Sequence, residues 1–239
     1  MIHYITVATE EKLYLKYLKQ LLPELVILGM NNKWEGFITK YKLVIEYLNK
    51  LNENDIICFI DAYDVLPTKN IGKLKDKFIE FIKNNPEIKM IVGYEVYDIN
   101  FIENYAKSFM GAVNEKGDRL NTGTYIGYVK NIKQILSSIL INNPNMEDDQ
   151  IELTKYANQF PNEIYTDINK FFFNVITKPL GNIQIEDENY EYCFIHANAN
   201  GNLNLFLYKH HNIDINFIDN INILIDNYKA ILKKLYIYL

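Results

Sequence analysis

The feature of the sequence that most constrains the fold is an apolar segment followed by two aspartates. Residues 56–60 (IICFI) are all apolar or aromatic, which is typical of a strand buried on both faces of a sheet. Asp61 and Asp64 follow directly, where the strand leaves the core. A carboxylate there is costly unless it is compensated, and a hard divalent cation is the usual compensation. Because ligands of open α/β sheets collect at the carboxyl ends of strands, the segment predicts a metal-bound phosphate ligand. The structural alternative is a turn capped by Asp64 and a salt bridge from Asp61.

Strand and helix patterns alternate along the first half of the chain. Strands are expected at residues 3–8, 25–28, 56–60 and 90–92, and helices at 10–22, 37–51 and 71–83. This alternation predicts an α/β fold with a central, mainly parallel sheet flanked by helices. The glycine-rich motif of Rossmann dehydrogenases and the Walker loop are both missing from the sequence, which argues against those two classes.

The second half of the chain is less regular. Strands are expected at residues 120–129, 171–176 and 192–196, and helices at 132–141, 146–159 and 219–239. The last helix is amphipathic, and Asp219 is expected to cap it. Residues 98–118 are expected to form a long loop, and loops of this length are usually lids or binding segments.

The composition limits the classes of partner. A chain of 239 residues with 49% hydrophobic residues predicts one folded domain, 1–239. The net charge of −5 gives no basis for nucleic-acid binding. Cys58 and Cys193 both lie in apolar segments and do not indicate a disulfide framework. With no signal-peptide pattern and no apolar segment of membrane-spanning length, we expect a soluble, cytoplasmic or intracellular protein. The amino-acid bias is typical of an AT-rich genome and would fit a giant virus or a bacterium. A viral protein would be expected in the host cell or the virion. A homodimer is left open.

Five short segments form a further pattern when they are taken in chain order. They are residues 5–9 (ITVAT), 59–65 (FIDAYDV), 120–127 (LNTGTYIG), 148–150 (DDQ) and 195–199 (IHANA). Together they resemble the glycosyltransferase domain of the procollagen lysyl hydroxylase/glycosyltransferase family, over most of the chain. The resemblance implies a GT-A fold, which is a Rossmann-like nucleotide-sugar-binding fold, and a UDP-sugar donor.

The resemblance also implies a metal centre. Asp61, Asp64 and His196 match the positions that hold Mn²⁺ in the family. The ligand set is chemically consistent, because Mn²⁺ accepts carboxylate and imidazole together and bridges phosphate oxygens. The ion would act as a Lewis acid on the departing UDP. Without the resemblance, a lone histidine in an apolar segment is more often a hydrogen-bonded core residue.

Other roles follow from the resemblance residue by residue. The residues expected to bind the donor are Val7, Thr9, Trp34, Lys42, Tyr63 and Asp61, and those expected to act in catalysis are Asp148, Asp149 and Asn121. Tyr63 is expected to stack on uracil and Lys42 to reach the diphosphate. Read without the family, Lys42 is a solvated helix lysine, Tyr63 a packed aromatic, and the two aspartates favourable charges in a first helical turn.

The sequence departs from the family pattern beside the expected donor site. Thr124, Ala197 and Ala199 stand where the family has glycines, and the acidic run before Gln150 is shorter. Extra side chains there would reshape the sugar pocket. The hydroxylase domains that accompany the family's transferase are absent from this sequence, so no iron or 2-oxoglutarate chemistry is expected of it.

Three functions remain open from the sequence. The first is a Mn²⁺-dependent hexosyltransferase that moves glucose or galactose from a UDP-sugar to a glycan or collagen-like acceptor, such as hydroxylysine or galactosyl-hydroxylysine. The second is a nucleotidyltransferase, which also uses pairs of aspartates to bind metal. The third is a non-catalytic UDP-sugar-binding accessory module.

Overall fold

The fold is a nine-stranded mixed sheet with helices on both faces. The structure is a computed structural model, and it describes residues 1–97, 119–177, 182, 183, 185, 189–198 and 201–237. The strands are β1 (Ile2–Val7), β2 (Val26–Leu28), β3 (Ile56–Ile60), β4 (Val65–Pro67), β5 (Met90–Tyr97), β6 (Leu120–Tyr128), β7 (Ile164–Asp167), β8 (Phe173–Thr177) and β9 (Phe194–His196). The described helices are α1 (Leu15–Leu21), α2 (Phe37–Leu48), α3 (Leu74–Asn84), α4 (Val129–Asn142), α5 (Asp149–Gln159), α6 (Asn204–His211) and α7 (Phe217–Ile237).

The strand order is β2-β1-β3-β6-β5-β8-β9-β4, and β7 pairs with β5 beside this path. Most neighbours are parallel, but β6 runs antiparallel to both β3 and β5, and β4 runs antiparallel to β9. The predicted α/β class with a mainly parallel sheet is therefore confirmed. The long loop expected at residues 98–118 lies outside the described residues.

The central strand β3 is buried along its whole length, as its sequence predicts. Successive side chains of a strand point to opposite faces. Ile56, Cys58 and Ile60 accordingly enter one apolar core, whereas Ile57 and Phe59 enter the other. The two cores cover both faces of the sheet and fix the end of β3, where Asp61 begins.

Several predicted helix ends differ from the structure by two residues or more, and for two of them the physical reason is visible. The first helix begins at Leu15, not near residue 10, because Leu13 adopts a left-handed backbone conformation (φ 50°) that a helix cannot contain. The last helix begins at Phe217, and the Asn216 side chain caps it by accepting a hydrogen bond from the Asp219 backbone N–H at 2.9 Å. The Asp219 carboxylate instead contacts Lys16 and accepts a hydrogen bond from the Tyr17 hydroxyl.

Three short elements were not predicted: β4, β7 and α6. The strand β4 has only three residues, all buried, directly after the turn that carries Asp64. Its antiparallel pairing with β9 sets Val65 opposite His196. This pairing brings the second aspartate and the histidine to the same place. No described helix combines the length and apolar character needed to cross a membrane.

Candidate functional site

Asp61, Asp64 and His196 form one cluster at the end of β3. One ligand atom from each residue lies within 4.8 Å of the others, and His196 Nε2 is 3.3 Å from Asp64 Oδ2. Backbone hydrogen bonds fix this geometry. The Asp61 N–H donates to the Gly123 carbonyl at 2.7 Å, and the Ala197 N–H donates to the Asp64 carbonyl at 2.8 Å. The three residues that the sequence predicted as metal ligands are thus brought together.

The donor set fits a divalent cation. The His196 ring is buried at 2% exposure. Its Nε2 lies 3.3 Å from Asp64 Oδ2 without forming a hydrogen bond, and its Nδ1 makes no hydrogen bond with any residue that the structure describes. A buried polar group without a partner is unfavourable unless something else satisfies it. Gly123 also leaves the cluster open, because a Cβ there would lie 2.4 Å from His196 Cε1 and 2.6 Å from Asp61 Oδ2. A cation held by two carboxylate oxygens and one imidazole nitrogen would give that nitrogen a partner and offset the charge of the carboxylates.

The pKa values of Asp61 and His196 are both shifted by their surroundings in the cluster. Removal from water raises the pKa of Asp61, against the lowering effect of the Lys40 ammonium. Burial lowers the pKa of His196, but the Asp64 and Asp61 carboxylates outweigh it, so the net shift is upward. The Asp61 shift thus comes mainly from removal from water, with a smaller contribution from the Asp64 carboxylate, whereas the His196 shift comes from the two carboxylates beside the ring.

A cavity of about 450 Å³ adjoins the cluster and is open to solvent. Its lining includes Asp61 and Asp64 together with four residues predicted to bind the donor: Val7, Thr9, Trp34 and Tyr63. The Trp34 ring is 43% exposed and contacts Phe37 edge to face, with ring centroids 6.1 Å apart. The Tyr63 hydroxyl donates to the Glu10 carbonyl at 3.1 Å, and the Lys12 Nζ lies 4.8 Å from the Tyr63 ring centroid.

Lys42 is not part of this cavity. Its side chain is exposed and lies beside a separate, shallow surface groove with Asn31 and Thr39. The lysine that reaches the site is Lys40, two residues earlier on α2, which sequence reasoning missed. Lys40 is buried at 4% exposure, and its Nζ lies 4.7 Å from the Phe59 ring centroid.

Lys40 connects the metal cluster to the acidic residues of α5. Its Nζ lies 2.8 Å from Asp149 Oδ2 and 3.3 Å from Asp61 Oδ1, and it donates to the Thr122 carbonyl at 3.0 Å. Asp149 is itself buried at 3% exposure, so the pair is a buried ion pair. The link places Asp149 beside the metal cluster, although the two are far apart in sequence.

Asp148 and Asn121 also lie near the cluster but have local hydrogen bonds. Asp148 caps α5, since its Oδ1 accepts from the backbone N–H groups of Gln150 and Ile151 at 2.8 and 3.0 Å. Asn121 Oδ1 accepts from the Gly123 N–H at 2.9 Å and lies 3.0 Å from where a Cβ on Gly123 would stand. Asp149 therefore lies in the first turn of α5, as the reading without the family expects, whereas Asp148 is the N-cap that precedes this turn. The second oxygen of the Asp148 carboxylate has no role in the cap.

A buried carboxylate next to this region was also missed from the sequence. Glu95 is 1% exposed and accepts hydrogen bonds from Asn198 Nδ2 at 2.6 Å, Thr177 Oγ1 at 3.1 Å and Gln150 Nε2 at 3.1 Å. The one sign of it in the sequence is a carboxylate within the otherwise apolar and aromatic segment of β5, which extends beyond the strand expected at residues 90–92. The network joins α5 to the segment that follows His196.

The comparison with protein families shows the class of this protein, which is a glycosyltransferase. The family model described as "PLOD GT domain" matches residues 1–228, and the chain belongs to that family. The resemblance read from the five sequence segments is thereby confirmed.

Two of the solved structures with detectable similarity have low sequence identity to this chain. The crystal structure of A197 from STIV is 15% identical, with a TM-score of 0.40, and the match covers 69% of this chain and 80% of that one. The apo crystal structure of mouse xyloside xylosyltransferase 1 is 13% identical, with a TM-score of 0.42, and covers 79% and 73% respectively. No curated protein matches the sequence.

Proposed function

We propose that this glycosyltransferase is Mn²⁺-dependent and moves a hexose, glucose or galactose, from a UDP-sugar to an acceptor hydroxyl. The observation that carries the proposal is the cluster of Asp61, Asp64 and His196 beside an open cavity of about 450 Å³. Two carboxylates and an imidazole suit Mn²⁺, and the adjoining cavity has room for a nucleotide.

The metal-binding residues would be Asp61, Asp64 and His196. When bound there, the ion would supply Lewis-acid stabilisation of the negative charge that develops on the departing diphosphate. Asp61 lines the cavity and also contacts Lys40, so its carboxylate faces both the ion site and the buried lysine. Other side chains would bind the nucleotide and orient the sugar.

The cavity residues would bind the nucleotide. Tyr63 offers an aromatic surface for the uracil, and its hydroxyl is already held by the Glu10 carbonyl, which restrains the ring. Trp34 provides a second aromatic surface at the cavity entrance, where its ring is partly exposed. Val7 and Thr9 would contact the nucleotide from the end of β1. Lys42 lies in a separate surface groove, so its side chain would have to move out of that groove to bind the diphosphate.

The transfer step would depend on Asp149, with Asn121 and Asp148 nearby. A carboxylate close to the donor can stabilise positive charge on the sugar in the transition state or orient the acceptor hydroxyl. Lys40 holds the Asp149 carboxylate at a distance of 2.8 Å from its ammonium group. Asn121 would hydrogen-bond the donor sugar. For the acceptor we propose hydroxylysine or galactosyl-hydroxylysine of a collagen-like protein, on family membership alone.

The test is UDP release from UDP-glucose and UDP-galactose, measured with Mn²⁺, with Mg²⁺ and with EDTA. We expect release that requires the metal and prefers one sugar, and a loss of more than about 100-fold in Asp64→Asn. Asp76→Asn removes an exposed carboxylate of α3 and serves as the matched control, with activity within about twofold of the unmutated protein.

Three outcomes would contradict the proposal. Release that is unaffected by EDTA would exclude the metal role. Pyrophosphate release from UTP would indicate a nucleotidyltransferase instead. UDP binding without turnover of any donor, on acceptor or water, would indicate a non-catalytic accessory module.

A further inference from the structure

The C-terminal helix α7 supplies one residue to the cavity wall. Asn227 lines the cavity together with Tyr14, Tyr63 and Gly201, although it lies more than 160 residues after Tyr63 in sequence. Helix α7 is docked on the segment around α1. Ile223 is 2% exposed in the main core, and the Asp219 carboxylate binds Lys16 and Tyr17. Because residues four apart lie on the same face of a helix, Ile223 places Asn227 on the inward face.

Asn227 is the polar group that α7 brings to the cavity. The residue is 3% exposed and lines the cavity, and its amide atoms are not among the fully buried polar atoms that lack a partner in the described part of the chain. An amide that borders a solvent-open cavity can exchange hydrogen bonds with water for hydrogen bonds with a ligand. An apolar side chain at this position could not bind a ligand in this way. The amide offers one acceptor oxygen and two donor hydrogens.

We infer that Asn227 is a donor-binding residue, whose side-chain amide hydrogen-bonds the nucleoside diphosphate in the cavity and makes α7 part of the donor site. The inference rests on the proposed function, because it takes the cavity ligand to be UDP. It assigns α7 a role in binding, beyond covering the sheet.

The experiment is isothermal titration of UDP with Mn²⁺ into the full chain, combined with thermal melting of the ligand-free protein. We expect Asn227→Leu, which is close in size, to bind UDP about 5- to 10-fold more weakly, the loss expected for one or two hydrogen bonds. Its Tm without ligand should stay within about 2 °C of the unmutated protein, because the replacement keeps the volume of the side chain and the amide acts on the ligand. A purely structural asparagine would give the opposite result, a lower Tm. Asn222→Leu is the matched control on the same helix, since Asn222 is exposed and lies in the groove outside the cavity.

The outcomes separate this inference from the proposed function. Absence of UDP binding by the unmutated protein would overturn both. UDP binding by the unmutated protein with equal affinity in Asn227→Leu would overturn the inference alone. A weakened affinity that accompanies a fall in Tm, or that Asn222→Leu reproduces, would also overturn it. Titration of UMP without metal then identifies the contact. A loss that persists with UMP assigns it to the nucleoside monophosphate part, and a loss confined to UDP assigns it to the terminal phosphate.

Discussion

Replacing Lys40 by methionine removes the charge that connects the metal cluster to α5 and keeps most of the side-chain volume. In the folded protein the Lys40 side chain is 5% exposed, and its Nζ lies 2.8 Å from Asp149 Oδ2 and 3.3 Å from Asp61 Oδ1. The Asp149 side chain is also 5% exposed, so its carboxylate would stay buried without a counter-charge. The variant therefore tests whether Lys40 supports the site electrostatically.

The expected loss of stability is large. At an effective dielectric constant of about 20, unit charges 2.8 Å apart attract by about 6 kcal/mol, part of which offsets the cost of burying them. Breaking one partner of a buried ion pair costs about 3 to 5 kcal/mol of unfolding free energy. For a chain of this size, each kcal/mol lowers Tm by about 2 to 4 °C. We therefore expect Tm to fall by about 6 to 20 °C in Lys40→Met.

Below pH 10.5, the stability that Lys40 contributes should not change with pH through titration of the lysine itself. Burial lowers the pKa of Lys40, but the Asp149 and Asp61 carboxylates outweigh it and the net shift is upward. A group whose folded pKa is raised contributes stability below its unfolded pKa, 10.5 for lysine, and loses it only as the pH rises through the folded value. Lys40 is thus fully charged at neutral pH.

The measurement is urea unfolding and thermal melting of Lys40→Met, with Lys42→Met as the matched stability control. Lys42 is exposed, so its substitution should change the unfolding free energy by less than about 0.5 kcal/mol. Adding Asp149→Asn to Lys40→Met removes the uncompensated carboxylate and should recover about 1 to 3 kcal/mol. Equal stability of Lys40→Met and Lys42→Met, or no recovery in the double variant, would refute the electrostatic role.

Two further predictions concern the metal cluster and the cavity. Gly123→Ala should weaken Mn²⁺ binding more than about 10-fold by calorimetry, because its Cβ would stand 2.4 Å from His196 Cε1; unchanged affinity would mean that the ion binds elsewhere. Trp34→Ala should leave Tm within about 2 °C but weaken UDP binding several-fold, since the ring is 43% exposed at the cavity. The opposite pattern, a lower Tm with intact UDP affinity, would assign Trp34 a packing role.

Sequence patterns predicted the parts of the fold that depend on local periodicity. The buried strand β3, the alternation around it and the two aspartates at its end were readable because a strand buried on both faces must be apolar throughout. The first residues of α1 and α7 could not be predicted from periodicity. Leu13 adopts a left-handed conformation before α1, and Asn216 caps α7 through a specific side-chain contact. The three-residue strand β4 is too short to carry a periodic signal.

The sequence alone determined which chemical groups the site contains, and only the tertiary structure decided which of them meet. Lys40 and Lys42 are the same residue type on one helix, and positions two apart point to nearly opposite faces. The packing of α2 turns Lys40 towards Asp149 and leaves Lys42 in solvent. Glu95 and Asn227 acquire their surroundings from β8, α5 and the docking of α7, which are distant in the chain. Contacts of this kind depend on how elements pack against one another, and no local pattern encodes them.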